Sequence, residues 1–294
     1  MDVLSDTITA MRTGRPHSSL TRLSAPWGTR FAPGDAAGFH AVLRGSGWLL
    51  PPTGPPVALN VGDVVFMAKG RGYALADHPD TPLADFRPGR PTRQPGGEPS
   101  TVLLCGAYLL DRVRPHPLLA ELPDHIHLPA SAGRHPSLSG AVDLLGRELG
   151  QSRPGESAAV TALLDLLLLY IIRAWLDEHA TTGWAAALND PAITAALHAI
   201  HQDPARLWTV EALGAHAGLS RAAFSKRFTA LVGQPPLSYV TWWRMILAAR
   251  LLRETDAPLA AVAQRTGYTS EFAFARAFKR EYGIAPGSYR KPAA

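Results

Sequence analysis

Residues 212–233 read ALGAHAGLSRAAFSKRFTALVG, and residues 262–283 read VAQRTGYTSEFAFARAFKREYG. Both follow one pattern: a short Ala-rich helix, a glycine and an apolar residue, then a helix with Phe at i and i+4. In the first copy Thr209 is placed to cap a helix running to about Ala217, with Glu211 where the helix dipole favours an anion. Gly218 supplies the left-handed turn, Leu219 plugs the angle between the helices, and Ser220 caps the second helix. Phe224, Phe228 and Leu231 then share one face directed inward. Arg221, Ala222, Ser225 and Lys226 share the opposite face, with Arg227 toward the flank. In the second copy Asp256 is expected to cap a helix through Arg265, Gly267 makes the turn and Tyr268 is the plug. Thr269 or Ser270 caps a helix whose Phe274 and Phe278 face inward. Glu271, Phe272, Ala275 and Arg276 face outward, with Lys279 and Arg280 further along. Small and basic side chains on an exposed helix face suit groove entry, which needs little bulk, donors for base edges and charge for phosphates. An outward Phe272 has two readings: it packs on thymine methyl groups, or it covers a neighbouring helix.

Between the copies, residues 236–255 (PLSYVTWWRMILAARLLRET) predict a helix with a proline start. Its span of roughly 28 Å, at about 1.5 Å per residue, suits two units held one turn of B-DNA apart. One polypeptide would then read two adjacent major-groove segments of an asymmetric site. Charge supports this division of labour. From Asp190 onward the sequence carries 13 Lys+Arg against 7 Asp+Glu, a net of +6, within a chain whose total is +5. The basic excess therefore lies entirely in the last third, as expected of a nucleic-acid-binding module joined to something else. Arg244 and Arg250 on the linker helix suit an intramolecular ion pair as well as a phosphate. His198, His201 and His216 read as surface or interhelical residues.

At 294 residues the chain suggests two domains. Its single cysteine, Cys105, excludes an internal disulfide and points to a reducing, cytoplasmic setting. The first residues lack a long apolar segment, so no secretory signal is expected. The most apolar stretch, Leu163 to Leu176, is about 14 residues long, against the roughly 20 that span a bilayer, and no membrane partner is expected. From about Ser24 to Leu110, short apolar runs broken by Gly and Pro (FHAVLRG, GWLLP, PVALN, GDVVFM, GYALAD, TVLLCGAYLL) predict an antiparallel sandwich or barrel. The Pro- and Gly-dense stretch His78 to Ser100 reads as a long surface loop. Helices are predicted near Leu138 to Leu149 and from Glu156 to His179. The second is apolar on nearly every side, so protein must cover it, either the barrel or its counterpart in a homodimer. The expected architecture is α+β and multidomain: a β-barrel over 1–135, a helical connector over 136–188, and an all-α domain over 189–294 with helix-turn-helix units at about 209–232 and 256–282.

The span from Asp190 to Arg290 resembles the DNA-binding domain of the AraC/XylS family of bacterial transcription activators. The resemblance is carried by WTVEALGAHAGLSRAAFSKRF, GQPPLSYVTWWRMILAARLL and VAQRTGYTSEFAFARAFKREYGIAPGSYR. It implies that the helices starting at Ser220 and at Thr269 or Ser270 are the recognition helices. Base-reading positions then fall on Arg221, Ala222, Ser225, Lys226, Glu271, Phe272, Ala275 and Arg276. Double-stranded promoter DNA is the implied partner, together with RNA polymerase.

The N-terminal fragments GFHAVLRGSGWL, GDVVFMAKGRGYALADHPD, LLCGAYLLD and HPLLAELPDHIHLP resemble the cupin-type sensor domain of one AraC subfamily. That implies a small β-barrel that senses a small molecule, a metal or an oxidant. Cupin enzymes hold a divalent metal with converging His and carboxylate ligands. Here His40 lacks the usual partner His two positions later, and Tyr73 stands where a second His is common in this subfamily. A mixed metal site from His40, Cys105, His116 and His78 is one expectation; the other is a buried Cys105 beside a satisfied core His40. As a redox trigger, Cys105 would be limited to a sulfenic acid, a mixed disulfide or an intermolecular bridge. Two other functional readings stand beside the regulator: a metal-dependent cupin enzyme fused to a DNA-binding tail, and an architectural DNA-binding protein.

Overall fold

The computed structural model describes residues 2–87, 98–130, 134–151, 153–179 and 181–290. Its elements in chain order are α1 (Val3–Met11), β1 (His17–Leu23), β2 (Gly28–Phe31), β3 (Ala36–Arg44), β4 (Gly47–Leu50), β5 (Val57–Leu59), β6 (Val64–Met67), β7 (Tyr73–Ala76), β8 (Ala84–Asp85), β9 (Thr101–Leu109), α2 (Pro117–Glu121) and β10 (Ile126–Leu128). Helices α3 (Pro136–Gln151), α4 (Glu156–Glu178), α5 (Gly183–Asn189), α6 (Pro191–Gln202), α7 (Val210–His216), α8 (Arg221–Val232), α9 (Pro236–Glu254), α10 (Leu259–Arg265), α11 (Glu271–Tyr282) and α12 (Pro286–Arg290) follow. Packing divides the chain into two compact units. One comprises Gly14–Leu110 and Leu122–Glu178; the other comprises Met1–Thr13, Asp111–Glu121 and His179–Ala294.

In the first unit two five-stranded sheets, ordered β1-β9-β3-β6-β10 and β5-β4-β7-β2-β8, enclose the interior. Their pairings are antiparallel except β2 with β8. The period-2 alternation of β3 sends His40 and Val42 inward and Phe39 and Ala41 outward. The outward face is closed by the helices: Tyr108, fully buried beside Phe39, donates its hydroxyl to the Leu164 carbonyl of α4 at 2.7 Å. Gly106 lies opposite Phe39 in the ladder, and a Cβ there would meet the Phe39 ring at 2.4 Å. The aromatic ring covers the bare backbone of the glycine on the neighbouring strand. Part of the interior is filled by Leu23, Trp27, Val42, Leu49, Leu59, Val65, Met67, Leu75 and Leu103. The remainder is open.

All six apolar runs of the sequence became strands, whereas β1, β2, β10 and α1 gave no comparable signal. The reason is visible in β1, HSSLTRL, whose cavity-facing positions are His17, Ser19 and Thr21. A strand that lines a cavity need not be apolar on its inner face. Within the expected loop, residues 88–97 lie outside the described residues, while Ala84–Asp85 pairs with β2. Helix α4 runs for 23 residues, ending one residue short of the expected span, and by length and composition it is long enough to cross a membrane, although its most apolar stretch is shorter. Leu164, Leu167, Leu168, Ile171, Ile172 and Trp175 of α4 are buried in this unit, which α3 helps to cover. Cover is incomplete, however: Leu166 of α4 and Leu144 of α3 are 41% and 53% exposed.

The second unit is helical. Ser220, Phe224, Phe228, Gly233 and Pro236 recur as Ser270, Phe274, Phe278, Gly283 and Pro286 in equivalent roles. Ser220 and Ser270 cap α8 and α11, and Gly233 and Gly283 end them in the left-handed conformation at φ 81° and 76°. Thr209 caps α7 through the Ala212 amide. Asp256 does not cap α10: Pro258 takes the N-cap position and the helix starts after it, because a proline disfavours helical geometry in the residue before it, here Ala257. The same unit takes in α1 and Asp111–Glu121, so packing does not respect the sequential boundary expected near residue 135. Helix α1 packs on α6 and α9, Asp111 accepts a hydrogen bond from the Tyr282 hydroxyl at 3.2 Å, and Arg114 pairs with Glu281.

Candidate nucleic-acid interface and sensor cavity

Helix α8 buries Phe224, Phe228 and Val232 and exposes Arg221, Ala222, Lys226 and Arg227, with Ser225 half-buried between them. A shallow groove along this face is lined by Val210, Arg221, Ala222, Ser225, Lys226, Thr229 and Ala230. Arg221 holds Glu211 of α7 at 2.8 Å on the surface, an exposed pair that a phosphate can displace. Helix α11 buries Phe274, Ala277, Phe278 and Tyr282 and exposes Glu271, Phe272, Arg276, Lys279 and Arg280, with Ala275 half-buried. Phe272 is 75% exposed, so the reading in which it covers a neighbouring helix falls. The turns that set α8 against α7 and α11 against α10 are made by Gly218 at φ 65° and Gly267 at φ 79°. At Gly267 a side chain would also strike the Arg244 guanidinium and the Ala205 carbonyl.

Two arginines belong to the scaffold. Arg244 donates to the carbonyls of Pro204 at 2.7 Å and Arg206 at 2.8 Å, tying α9 to the loop before α7. Arg227, expected at the flank of the outward face of α8, bonds Asp190 through Nε. Asp190 is buried and also caps α6 through the amides of Ala192 and Ile193. Asp190→Ala removes the cap and leaves Arg227 unpaired. The expected loss is about 1.5–3 kcal/mol, from a cap worth about 1 kcal/mol and a pair discounted because Arg227 is half exposed. Urea unfolding of the variant checks this; a change under about 0.5 kcal/mol contradicts it.

Of the four residues expected to share a metal, the barrel unit brings together His40 and Cys105 and leaves out His78. His40 faces Cys105 across β3 and β9, with Nδ1 3.1 Å from Sγ, and its Nε2 lies 2.7 Å from the Tyr73 hydroxyl. His116 belongs to the helical unit, buried against Trp184 and Trp242 with its rings at 4.3 and 4.9 Å. His78 sits in an exposed turn beside Asp80. Both nitrogens of His40 are already engaged. Burial holds its pKa down to about 3 and pushes the Cys105 thiol up to about 12, so the thiolate a metal would need is disfavoured. Among the described residues no group of three or more His, Cys, Asp or Glu is placed to hold a metal ion. The donor set does not fit the ion, because the two side chains that engage His40 are a thiol and a phenol and neither supplies a carboxylate.

His40, Tyr73 and Cys105 instead form the polar wall of a cavity of about 470 Å³ inside the barrel. Phe31 stacks on Tyr73 at 4.7 Å and meets Phe86 at 4.9 Å, extending the wall; Trp27, Leu75 and Leu103 line it further in. Sequence reasoning singled out His40 and Cys105 and missed Trp27, Phe31 and Phe86. For Trp27 and Phe31 the available signal was their spacing of four in WGTRF, which puts both on one face of a strand; Phe86, which follows β8, gave none.

Two family models match: one described as Cupin over residues 2–177 and one described as Helix-turn-helix domain over residues 213–292. A protein of Streptomyces lividans named as an AraC-like transcription regulator is 36% identical over 99% of this chain and 98% of its own length. A second, of Streptomyces antibioticus, is 35% identical over 99% of each. Among solved structures, the DNA-binding domain of AdpA in complex with a target DNA is 35% identical, covering 34% of this chain and 90% of that chain at a TM-score of 0.32. Family-model coverage of more than half the chain and full-length similarity lead to one assignment: the chain belongs to the AraC family of DNA-binding transcription regulators, with a cupin half and a helix-turn-helix half.

Proposed function

We propose that α8 and α11 enter two successive major-groove segments of one promoter site, and that occupancy of the barrel cavity biases this binding. The observation that carries the reading is the duplicated construction of the two helices, each with two buried Phe and an exposed outer face, small and basic on α8 and mixed on α11, where Glu271 and Phe272 stand beside Ala275 and Arg276. Arg221, Ser225, Lys226 and Arg276 supply donors for base edges and phosphates, and Lys279 adds charge. Ala222 and Ala275 let the backbone approach, Phe272 meets thymine methyl groups, and Glu271 accepts from cytosine amino groups. Arg227 acts by positioning α8 through Asp190.

Coupling follows from connectivity. β1 and β9 are paired, both line the cavity, and each continues within a few residues into a segment of the helical unit, α1 in one direction and Asp111–Glu121 in the other. A ligand that reshapes this pair is felt at both junctions. It shifts DNA binding only as far as it prefers one arrangement over another. A small molecule fits this cavity better than a metal or an oxidant, since the donors do not converge and the thiol stays protonated. The partly uncovered apolar residues of α3 and α4 suit a homodimer, and RNA polymerase is the expected partner at the promoter.

Selection of bound sites from a random duplex library tests the DNA reading. Two conserved segments one helical turn apart are expected, and the logarithm of affinity should fall with log salt by about 0.9 per phosphate neutralised. A single short segment, or binding indifferent to salt, overturns it.

A further inference from the structure

The barrel cavity has a chemistry that narrows its ligand. Its inner walls are aromatic and aliphatic: Trp27, Phe31, Tyr73, Leu75 and Leu103. Its cationic side chain, Arg71, is committed to Asp124 at 2.8 Å and half exposed, and His17 stands exposed on edge strand β1. The deeper polar groups, His40, Tyr73 and Cys105, are all held neutral by desolvation. An ionised ligand would leave water without meeting a free counter-charge, which is costly; an uncharged one would not.

The same three groups define one hydrogen-bonding position. A neutral imidazole has one N–H and one bare nitrogen. With the proton on Nδ1, His40 donates to Cys105, Tyr73 donates to Nε2, and the phenol oxygen offers the cavity a lone pair. With the proton on Nε2, His40 donates to the phenol oxygen and the Tyr73 O–H is free to donate. Gly38 leaves the room that the Tyr73 hydroxyl occupies, since any Cβ there would meet its oxygen at 2.7 Å. The switch between donor and acceptor needs only a tautomer change.

We propose that the cavity binds an electrically neutral, mainly aromatic or alkyl molecule carrying one hydrogen-bonding group directed at the Tyr73 hydroxyl. This rests on the reading of the barrel as the sensing half and names the chemistry of what it senses. A volume of about 470 Å³ lies in the range of small-molecule sites, which bury most of their ligand.

The probe is N-phenyl-1-naphthylamine, neutral with a single N–H, set against its anionic 8-sulfonate. Both are titrated by fluorescence into the full chain without DNA. Saturable micromolar binding of the neutral probe is expected, at least about tenfold tighter than the sulfonate. Tyr73→Phe should weaken it by about threefold to tenfold, as loss of one hydrogen bond does. Thr21→Trp, which fills the cavity from β1, should abolish it; Ser19→Trp serves if that variant does not fold. Equal or tighter binding of the sulfonate, no saturable binding of the neutral probe, or indifference to the filling variants overturns the proposal. Because no DNA is present, failure here leaves the groove-reading helices standing. Conversely, probe binding with no effect on promoter affinity leaves the ligand chemistry standing and removes the coupling.

Discussion

Lys226→Glu combined with Arg276→Glu lowers affinity for the promoter site by about 100-fold to 10,000-fold, each lost contact to a base edge or phosphate being worth about 1–3 kcal/mol. Both residues are exposed on the outer faces of α8 and α11, away from Phe224, Phe228, Phe274 and Phe278. The fold should therefore be untouched, with thermal unfolding within about 2 °C of the parent, since exposed substitutions change stability by about 0.5 kcal/mol or less. Footprinting on the selected site, beside circular dichroism melting, reads both quantities. An unchanged footprint would mean that these helices do not face the groove. Loss of binding together with loss of fold would place the two cations in the scaffold.

Phe278→Ala destabilises the helical unit by about 3–5 kcal/mol, the usual cost of emptying a fully buried aromatic site. Its ring lies 5.7 Å from Phe274, 4.6 Å from Tyr282 and 5.2 Å from Tyr289, so the cavity left behind is bordered by large side chains that cannot collapse into it cheaply. Phe228→Ala should cost a similar amount, its ring being packed between Phe224 and Tyr239. Urea unfolding followed by helical circular dichroism measures this, and specific DNA binding should vanish at the lower urea concentration that unfolds the variant. A shift below about 1 kcal/mol would show that these rings do not carry the packing of α8 and α11.

The helix-turn-helix half was legible because its determinants are local. Ser220 and Ser270 cap, Gly218 and Gly267 turn, and Phe at i and i+4 chooses the buried face, all within a dozen residues of one another. The same locality explains the error at Asp256, where a capping residue close to the right place lost to Pro258. Arg227 shows the limit. Its helical position directs it toward the flank, but the long-range partner that engages it, Asp190, is invisible to periodicity.

In the sensor half the six apolar runs announced a β fold, while the register of β3 against β9 and the packing of β7 from the other sheet decided what His40 meets. Whether His40 meets a carboxylate, a second histidine or a phenol depends on which residues of other strands lie opposite it. Residues so distant in sequence are related only through the closed sheet. From the amino-acid order alone came the two-part construction, the duplicated helix-turn-helix units and the outward faces of α8 and α11, because caps, turns and helical periodicity act over a few residues. Tertiary packing alone decided that His116 is buried within the helical unit, that His78 sits in an exposed turn and that His40 is bound to Tyr73 and Cys105. It also drew α1 and Asp111–Glu121 into the helical unit, since long-range contacts depend on how the whole chain closes around its cores.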